Sequence, residues 1–130
     1  VASLIIEVNT QSPQPIYEQI RRQIVRGIAA GLLEMGEELP SVRALAADLG
    51  VHFHTVNKAY AMLAEEGRIV MDRRRGAVVG EKAPRDHAFS EKLQQELTLA
   101  AAEAQCRCMD EAAFAQLCVE CYKKAKGEGN

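Results

Sequence analysis

Three arginines in a row, Arg73, Arg74 and Arg75, stand between two short apolar runs, Ile69-Val70-Met71 and Ala77-Val78-Val79. Upstream, His52, Phe53, His54, Thr55, Asn57 and Lys58 crowd the start of another segment, and Arg43 precedes them. These side chains share one chemistry. Arginine presents a planar fork of donors that matches phosphate oxygens and the acceptor edge of guanine. Asparagine pairs twice with adenine, and histidine donates to a guanine acceptor. Thr55, near a helix N-terminus, offers a hydroxyl and backbone amides to a phosphate oxygen. Phe53 has no hydrogen-bonding group, so it either meets a thymine methyl or folds back onto the core. Arg43 either spans from phosphate to a guanine edge or pairs on the surface with Asp48. The arginine triplet is either a solvated loop or a tip that enters a minor groove, with Gly76 permitting the sharp turn. The candidate DNA-binding set is therefore Arg43, His52, Phe53, His54, Thr55, Asn57, Lys58, Arg73, Arg74, Arg75 and Gly76.

Such a set needs rigid elements beneath it. Leu4 to Val8 read as an extended arm or strand, and Asn9 to Gln14 as a turn. Pro15 suits the first position of a helix. Ile16, Ile20, Ile24 and Ile28 then recur at four-residue spacing beside Tyr17, one stripe of an amphipathic helix over residues 15–31. Arg21, Arg22 and Arg26 lie off that stripe, toward water or phosphate. Gly36 to Pro40 read as a loop. Ser41 is an N-cap, Val42, Leu45, Ala46 and Leu49 a short apolar face, and Gly50 a C′ residue. A helix over residues 41–49 follows, then another over residues 53–66 with the stripe Val56, Ala59, Tyr60 and Leu63, ended by Gly67. Small residues Ala46 and Gly50 let the two helices approach. Ile69 to Met71 and Ala77 to Val79 make a hairpin around a five-residue connection, Asp72 to Gly76. Pro84 closes this part.

The remainder differs. Phe89, Leu93, Leu97, Ala101, Ala104 and Cys108 form one helical stripe; Asp110 reads as an N-cap; Phe114, Leu117, Cys118, Cys121, Tyr122 and Ala125 form another. Two such helices cannot bury both stripes in one chain, so a second copy is expected to cover them. The fold class read from this order is mainly α (α+β). It comprises an N-terminal winged helix-turn-helix, residues 1–82, and a C-terminal two-helix dimerisation hairpin, residues 83–130. The second helix of the pair is the recognition helix, whose first residues reach base edges while the preceding helix crosses the backbone.

Charge agrees with this division. The net charge of the 130 residues is -2, but residues 1–85 carry 11 Lys and Arg against 10 Asp and Glu, while residues 86–130 carry 5 against 8. The opening Val1 to Ile6 lacks the basic stretch and long apolar run of an export signal, and no run suits a membrane span. The expectation is a cytoplasmic protein with reduced thiols and no membrane partner. Only the end of the chain, Gly127 to Asn130, reads as lacking order.

Cys106, Cys108, Cys118 and Cys121 have a spacing that suggests zinc. Geometry within one chain opposes it: on helices, Cys118 stands roughly 15 Å beyond Cys108, whereas zinc needs all four sulfurs about 2.3 Å from one point. Cys118 and Cys121 also lie on the apolar stripe, where cysteine acts as a small hydrophobe. A metal- or redox-responsive role, across a dimer, is the alternative. His52, His54 and His87 give no metal spacing, since His52 and His54 diverge if both are helical. No cofactor, metal or catalytic residue is assigned, and no nucleophile elbow, phosphate loop or carboxylate pair points to an enzyme. A protein-binding winged helix without a DNA role is a further alternative. The short tail leaves little room for a deep effector pocket, so any small-molecule effector stays unknown.

The runs Pro15-Ile16-Tyr17-Glu18-Gln19-Ile20, Leu39-Pro40-Ser41-Val42-Arg43-Ala44-Leu45-Ala46, Thr55-Val56-Asn57-Lys58-Ala59-Tyr60 and Glu66-Gly67 together resemble the GntR family of bacterial transcription regulators. The resemblance covers about residues 4–80. In length and pattern the tail is similar to the YtrA-like subfamily, whose members lack a large effector-binding domain. This resemblance implies a homodimeric repressor on an inverted-repeat operator, reading double-stranded DNA through Arg43, His52 to Thr55, Asn57, Arg75 and Gly76. The chain departs from the family at His52-Phe53-His54, where small polar and basic residues are usual. It departs again at Arg73, where glycine is common, and at Val78, where an aromatic is common.

Overall fold

The computed structural model describes residues 4–81 and 85–127. Pro84, the expected boundary after residue 82, and the last three residues, Glu128 to Asn130, lie outside the described residues. Packing divides the chain into two compact units, Val1–Ala83 and Pro84–Asn130.

In the first unit, α1 spans Ile16–Ala29. Pro15 is its cap and not its first helical residue, because its ψ of 146° is extended. The Pro15 carbonyl accepts from the amides of Glu18 and Gln19, both at 3.1 Å. Ile20 and Ile24 are fully buried, and Ile16, Tyr17 and Ile28 pack half-buried beside them. The arm from Leu4 to Val8 is extended but has no strand partner. Its alternate residues Leu4, Ile6 and Val8 lean on the core, and side chains of α1 take the place of a neighbouring strand. Gln23 accepts from the Glu7 amide at 3.0 Å and donates to the Glu7 carbonyl at 2.6 Å. Gln19 accepts from the Asn9 amide at 2.8 Å and donates to the Asn9 and Gln14 carbonyls at 3.0 and 2.8 Å. Gln19 is thus a buried polar residue with its amide satisfied.

α2 spans Val42–Leu49 and α3 spans Phe53–Glu65. The Ser41 hydroxyl caps α2 by accepting from the Ala44 amide at 3.0 Å. Gly50 ends α2 at φ 69° and ψ 34°, a left-handed conformation that suits glycine. Nothing lies within 4 Å of a Cβ placed on Gly50, so the expectation that it allows close helix approach is corrected: its value is conformational. Ala46, by contrast, is buried at the helix contact. On α3 the buried residues are Val56, Ala59, Tyr60 and Leu63, and they meet Ile20, Ile24, Leu45 and Ala46 in one core. Burying such side chains stabilises by roughly 1.5–3 kcal/mol each.

β1, Ile69–Asp72, pairs antiparallel with β2, Gly76–Val79. The register is Ile69 to Val79 through Asp72 to Gly76. The connection is therefore Arg73 to Arg75, shorter than the expected five residues. Asp72 is the cause: its carboxylate accepts from the amides of Arg74 at 2.8 Å and Arg75 at 3.0 Å, closing the turn early. Those two hydrogen bonds also hold the Asp72 carboxyl below its ordinary range. The expected loop Gly36 to Pro40 does more than connect. Gly36 and Leu39 donate to the carbonyls of Val79 and Ala77, both at 2.8 Å, and Val79 donates to Glu37 at 2.9 Å. β2 is thus flanked on both edges, which is why Ala77, Val78 and Val79 are all buried.

Glu66, just past α3, accepts from Arg21 of α1 at 2.8 Å and from Arg68 at 2.9 Å. Arg21 and Arg22 also pair with Glu18 at 3.5 and 3.0 Å. Arg21, expected to face water or phosphate, instead ties α1 to the approach of the hairpin.

The second unit holds α4, His87–Cys106, and α5, Glu111–Ala125. Asp86 and Asp110 cap them, accepting from Phe89 and Ala113, both at 2.8 Å. Neither helix buries a residue. Cys108 is not on the α4 stripe, because α4 ends at Cys106 and Cys108 turns at φ 62°. Among the described residues no helix is long and apolar enough to cross a membrane.

Burial pushes the Glu66 carboxyl up, but hydrogen bonds and charge from Arg21 and Arg68 outweigh it, leaving the group below its ordinary 4.5. A depressed carboxyl stabilises the fold above its unfolded pKa and loses that contribution as pH falls through its folded one. Glu66→Gln should therefore lower stability by about 1 kcal/mol at neutral pH. In denaturant titrations the gap to the parent should close as pH drops below 4.5; a pH-independent gap would contradict this role.

Candidate nucleic-acid interface

The inner face of α3 is consumed by the core, so its outer face is fixed by helical spacing. His54, Asn57, Lys58 and Ala61 are exposed along it. His52 precedes the helix as its N-cap with ψ 141°. Its Nδ1 accepts from the His54 amide at 3.2 Å. In the neutral ring the proton must then sit on Nε2, which makes that second nitrogen a donor. The cap also overturns the expectation that His52 and His54 diverge. Because residue 52 lies outside the helix, its ring turns along the first turn and stacks on His54 at 4.8 Å and 16°. Phe53 joins them, 5.4 Å from His52 and 4.1 Å from His54 between ring centroids.

Phe53 does not return to the core; it is 37% exposed. The Arg43 guanidinium lies over its ring, 5.1 Å from the centroid. Arg43 makes no ion pair with Asp48. Thr55 is half-buried in the first turn, its amide donating to the His52 carbonyl at 3.0 Å. Asn57 is exposed further along the helix. The Lys58 ammonium sits 4.0 Å from the centre of the Tyr17 ring on α1, a cation–π contact that tethers it to the flank.

At the hairpin tip, Arg73 and Arg74 are exposed, with no side-chain ion pair or hydrogen bond among the described residues. Arg75 differs. Its guanidinium donates to the Gly36 carbonyl and stands 3.8 Å from the Glu38 carboxylate. It braces the hairpin against the segment before α2. Gly76 follows at φ 76°, as the sharp turn requires. Residue type alone groups all three arginines, and the family resemblance singles out Arg75 as a DNA contact; Glu38 and Gly36 lie far away in the chain, and no local pattern announces the bracing contact.

The tail cysteines are free thiols. Cys118 is half-buried and Cys106, Cys108 and Cys121 are exposed. Cys121, expected among small hydrophobes of a buried stripe, is exposed because nothing within one chain covers that stripe. Among the described residues, no three His, Cys, Asp or Glu side chains are grouped to hold a metal ion.

The family model described as bacterial regulatory proteins, gntR family, matches residues 16–79, the stretch from α1 to the last residue of the hairpin. An HTH-type transcriptional regulator of Mycobacterium tuberculosis is 36% identical over 98 residues, which are 75% of this chain and 80% of that one. The chain belongs to the GntR family. The HTH-type transcriptional repressor YtrA of Bacillus subtilis is 40% identical over 79 residues, and the match spans 61% of this chain and 61% of YtrA. Among solved structures, YtrA from Sulfolobus acidocaldarius, a GntR-family transcription factor, superposes with a TM-score of 0.65 at 42% identity, covering 75% of this chain and 98% of that one. The AraR DNA-binding domain, solved in complex with operator ORX1, gives a TM-score of 0.53 at 28% identity, covering 58% of this chain and 96% of that one. As a GntR winged helix-turn-helix, the chain has α2 and α3 as its helix pair and β1–β2 as its wing.

The His52 cap separates two roles of one residue. His52→Ser replaces the Nδ1 acceptor with a capping hydroxyl oxygen and should leave thermal stability nearly unchanged, whereas His52→Ala should cost about 1 kcal/mol. A His52→Ala variant that melts with the parent would show that the Nδ1 contact contributes nothing.

Proposed function

We propose that this GntR chain is a transcriptional regulator that binds duplex DNA sequence-specifically, as a repressor and a homodimer on an inverted-repeat operator. The observation that carries the reading is the surface made by the start of α3, Arg43 and the wing tip. Donors stand there in the open: Arg43, His52, His54, Asn57, Arg73 and Arg74. Support comes from the AraR DNA-binding domain, whose likeness covers 58% of this chain and whose structure contains operator DNA. The repressor role rests on the likeness to the Bacillus YtrA repressor.

Residues 1–82 would serve as the DNA-binding domain, with Arg43 and the α3 start at base edges, Thr55 and Lys58 at phosphates, and Arg73 and Arg74 at the minor groove beside Arg75 and Gly76. Residues 83–130 would form the dimer. Phe89, Leu93 and Leu97 recur every fourth residue on α4 and are 44%, 43% and 47% exposed. Leu117 and Tyr122 of α5 are exposed as well. A second copy contributes the matching stripe, and two-fold symmetry makes each such contact count twice. The protein would act in the cytoplasm, where its DNA is, and without catalysis.

Full-length chain should shift duplexes carrying its own promoter region, with log affinity falling steeply and linearly in log salt. Replacing Arg73 and Arg74 together with Ala should weaken binding to all sequences and reduce the salt slope by about 2 if each contacts one phosphate. Leu93→Glu should turn a sedimenting dimer into monomer and weaken operator binding. Salt-independent binding, or none at low salt, would overturn the DNA reading; an unchanged dimer in Leu93→Glu would overturn the assigned interface.

A further inference from the structure

Phe53 stands where sequence reasoning left two roles open, and the structure excludes one of them, the return to the core. Its ring is on the surface, yet one face is occupied by the Arg43 guanidinium from the neighbouring helix. Resting on the DNA reading above, we infer that Phe53 is a positioning residue that pre-sets Arg43 for guanine recognition.

The Arg43 guanidinium carbon stands 5.1 Å from the ring centroid, and none of its five N–H donors is spent on a hydrogen bond or ion pair among the described residues. An arginine held on Phe53 therefore keeps its fork free for the O6 and N7 of guanine. An ion pair with Asp48 would have occupied those donors, and Arg43 does not make one. A free arginine loses several rotatable bonds' worth of freedom on binding. Stacking in the unbound protein removes part of that loss beforehand, which raises discrimination without any new contact to DNA.

Phe53 is itself held. The His52 ring stacks on it and the His54 ring meets it at a tilt of 34°, the three rings forming one cluster, and His52 is fixed by its cap on the His54 amide at 3.2 Å. Arg43 sits in the first turn of α2 and Phe53 opens α3. The contact thus bridges the turn of the helix-turn-helix on its outward side. Lys58 offers a contrast. Its aromatic partner, Tyr17, draws the ammonium toward α1, so aromatic seating here aims Arg43 and Lys58 onto different rings.

The test uses the full chain and a duplex library with a randomised core of about 20 base pairs, two turns of DNA. Preference is read base by base for the parent, Arg43→Lys, Phe53→Leu, Phe53→Trp and the Arg43→Lys/Phe53→Leu double variant. Because Phe53 is on the surface, Phe53→Leu should melt like the parent, and Phe53→Met supplies a second non-aromatic side chain. The expected result is loss of guanine preference by about tenfold at one base pair per half-site in Phe53→Leu. Arg43→Lys should lose preference at that same base pair, the double variant should lose no more than either single one, and Phe53→Trp should retain it. An unchanged profile in Phe53→Leu, or a loss at a base pair that Arg43→Lys does not affect, would overturn the inference. A measurement without DNA separates this from failure of the DNA reading. In NMR spectra of the free chain, the Arg43 δ protons should be shifted upfield by the ring in parent and Phe53→Trp but not in Phe53→Leu. If the parent binds no duplex, the DNA reading and the guanine role fall together; unshifted δ protons in the parent would overturn the positioning contact itself.

Discussion

The Tyr60 hydroxyl donates to the Pro40 carbonyl at 2.7 Å, and most of the DNA-binding unit depends on that contact. Tyr60 is on the buried face of α3, and burial pushes its phenol up to about 12, so it stays a donor throughout the physiological range. Pro40 ends the segment Gly36–Pro40, which reaches in three directions. Through Gly36, Glu37 and Leu39 it pairs with β2. Through Arg75 it holds the wing tip. Through Ser41, the next residue, it caps α2. One hydrogen bond therefore fixes α3 to the point where wing and α2 are both anchored. An unpaired buried hydroxyl there would cost about 1–3 kcal/mol.

With that junction in place, the surface follows from subtraction. The core claims Val56, Ala59, Tyr60 and Leu63, and spacing leaves His54, Asn57 and Lys58 outside. Glu66, Arg21 and Arg68 lock the far end of α3 to α1. What stays free is the N-terminal end of α3 with Arg43, and the pair Arg73 and Arg74. A scaffold rigid at both ends of the helix presents its donors without paying to order them at the moment of binding.

The elements legible in the sequence were those set by local rules. Apolar periodicity located α1, α3 and the hairpin strands, and capping chemistry located Ser41, Asp110 and Gly50. What the sequence hid were contacts between distant residues. Nothing local in the sequence marks Gln19 and Gln23, yet they supply the arm with strand-like partners. Gly36 to Pro40 read as a loop because its pairing partner lies on β2, far along the chain. Residue type grouped Arg73, Arg74 and Arg75, and the resemblance set Arg75 apart as a DNA contact; charge was visible, but the pairing of Arg75 with Gly36 and Glu38 was not. The stack of His52, Phe53 and His54 was missed for a subtler reason. The helix expected over residues 53–66 already leaves His52 outside, but histidine is not among the usual capping residues, so the turn of its ring onto the first helical turn gave no local signal.

The most direct test of the central claim is a chemical-shift map of the full chain titrated with an operator-length duplex. The account predicts the largest backbone and side-chain changes at Arg43, His52 to Asn57, Arg73 and Arg74, with the Tyr60 and Glu66 surroundings unmoved and α4 and α5 silent. Changes centred on α4 or α5, or spread evenly over the surface with Arg43 and the start of α3 unaffected, would contradict it.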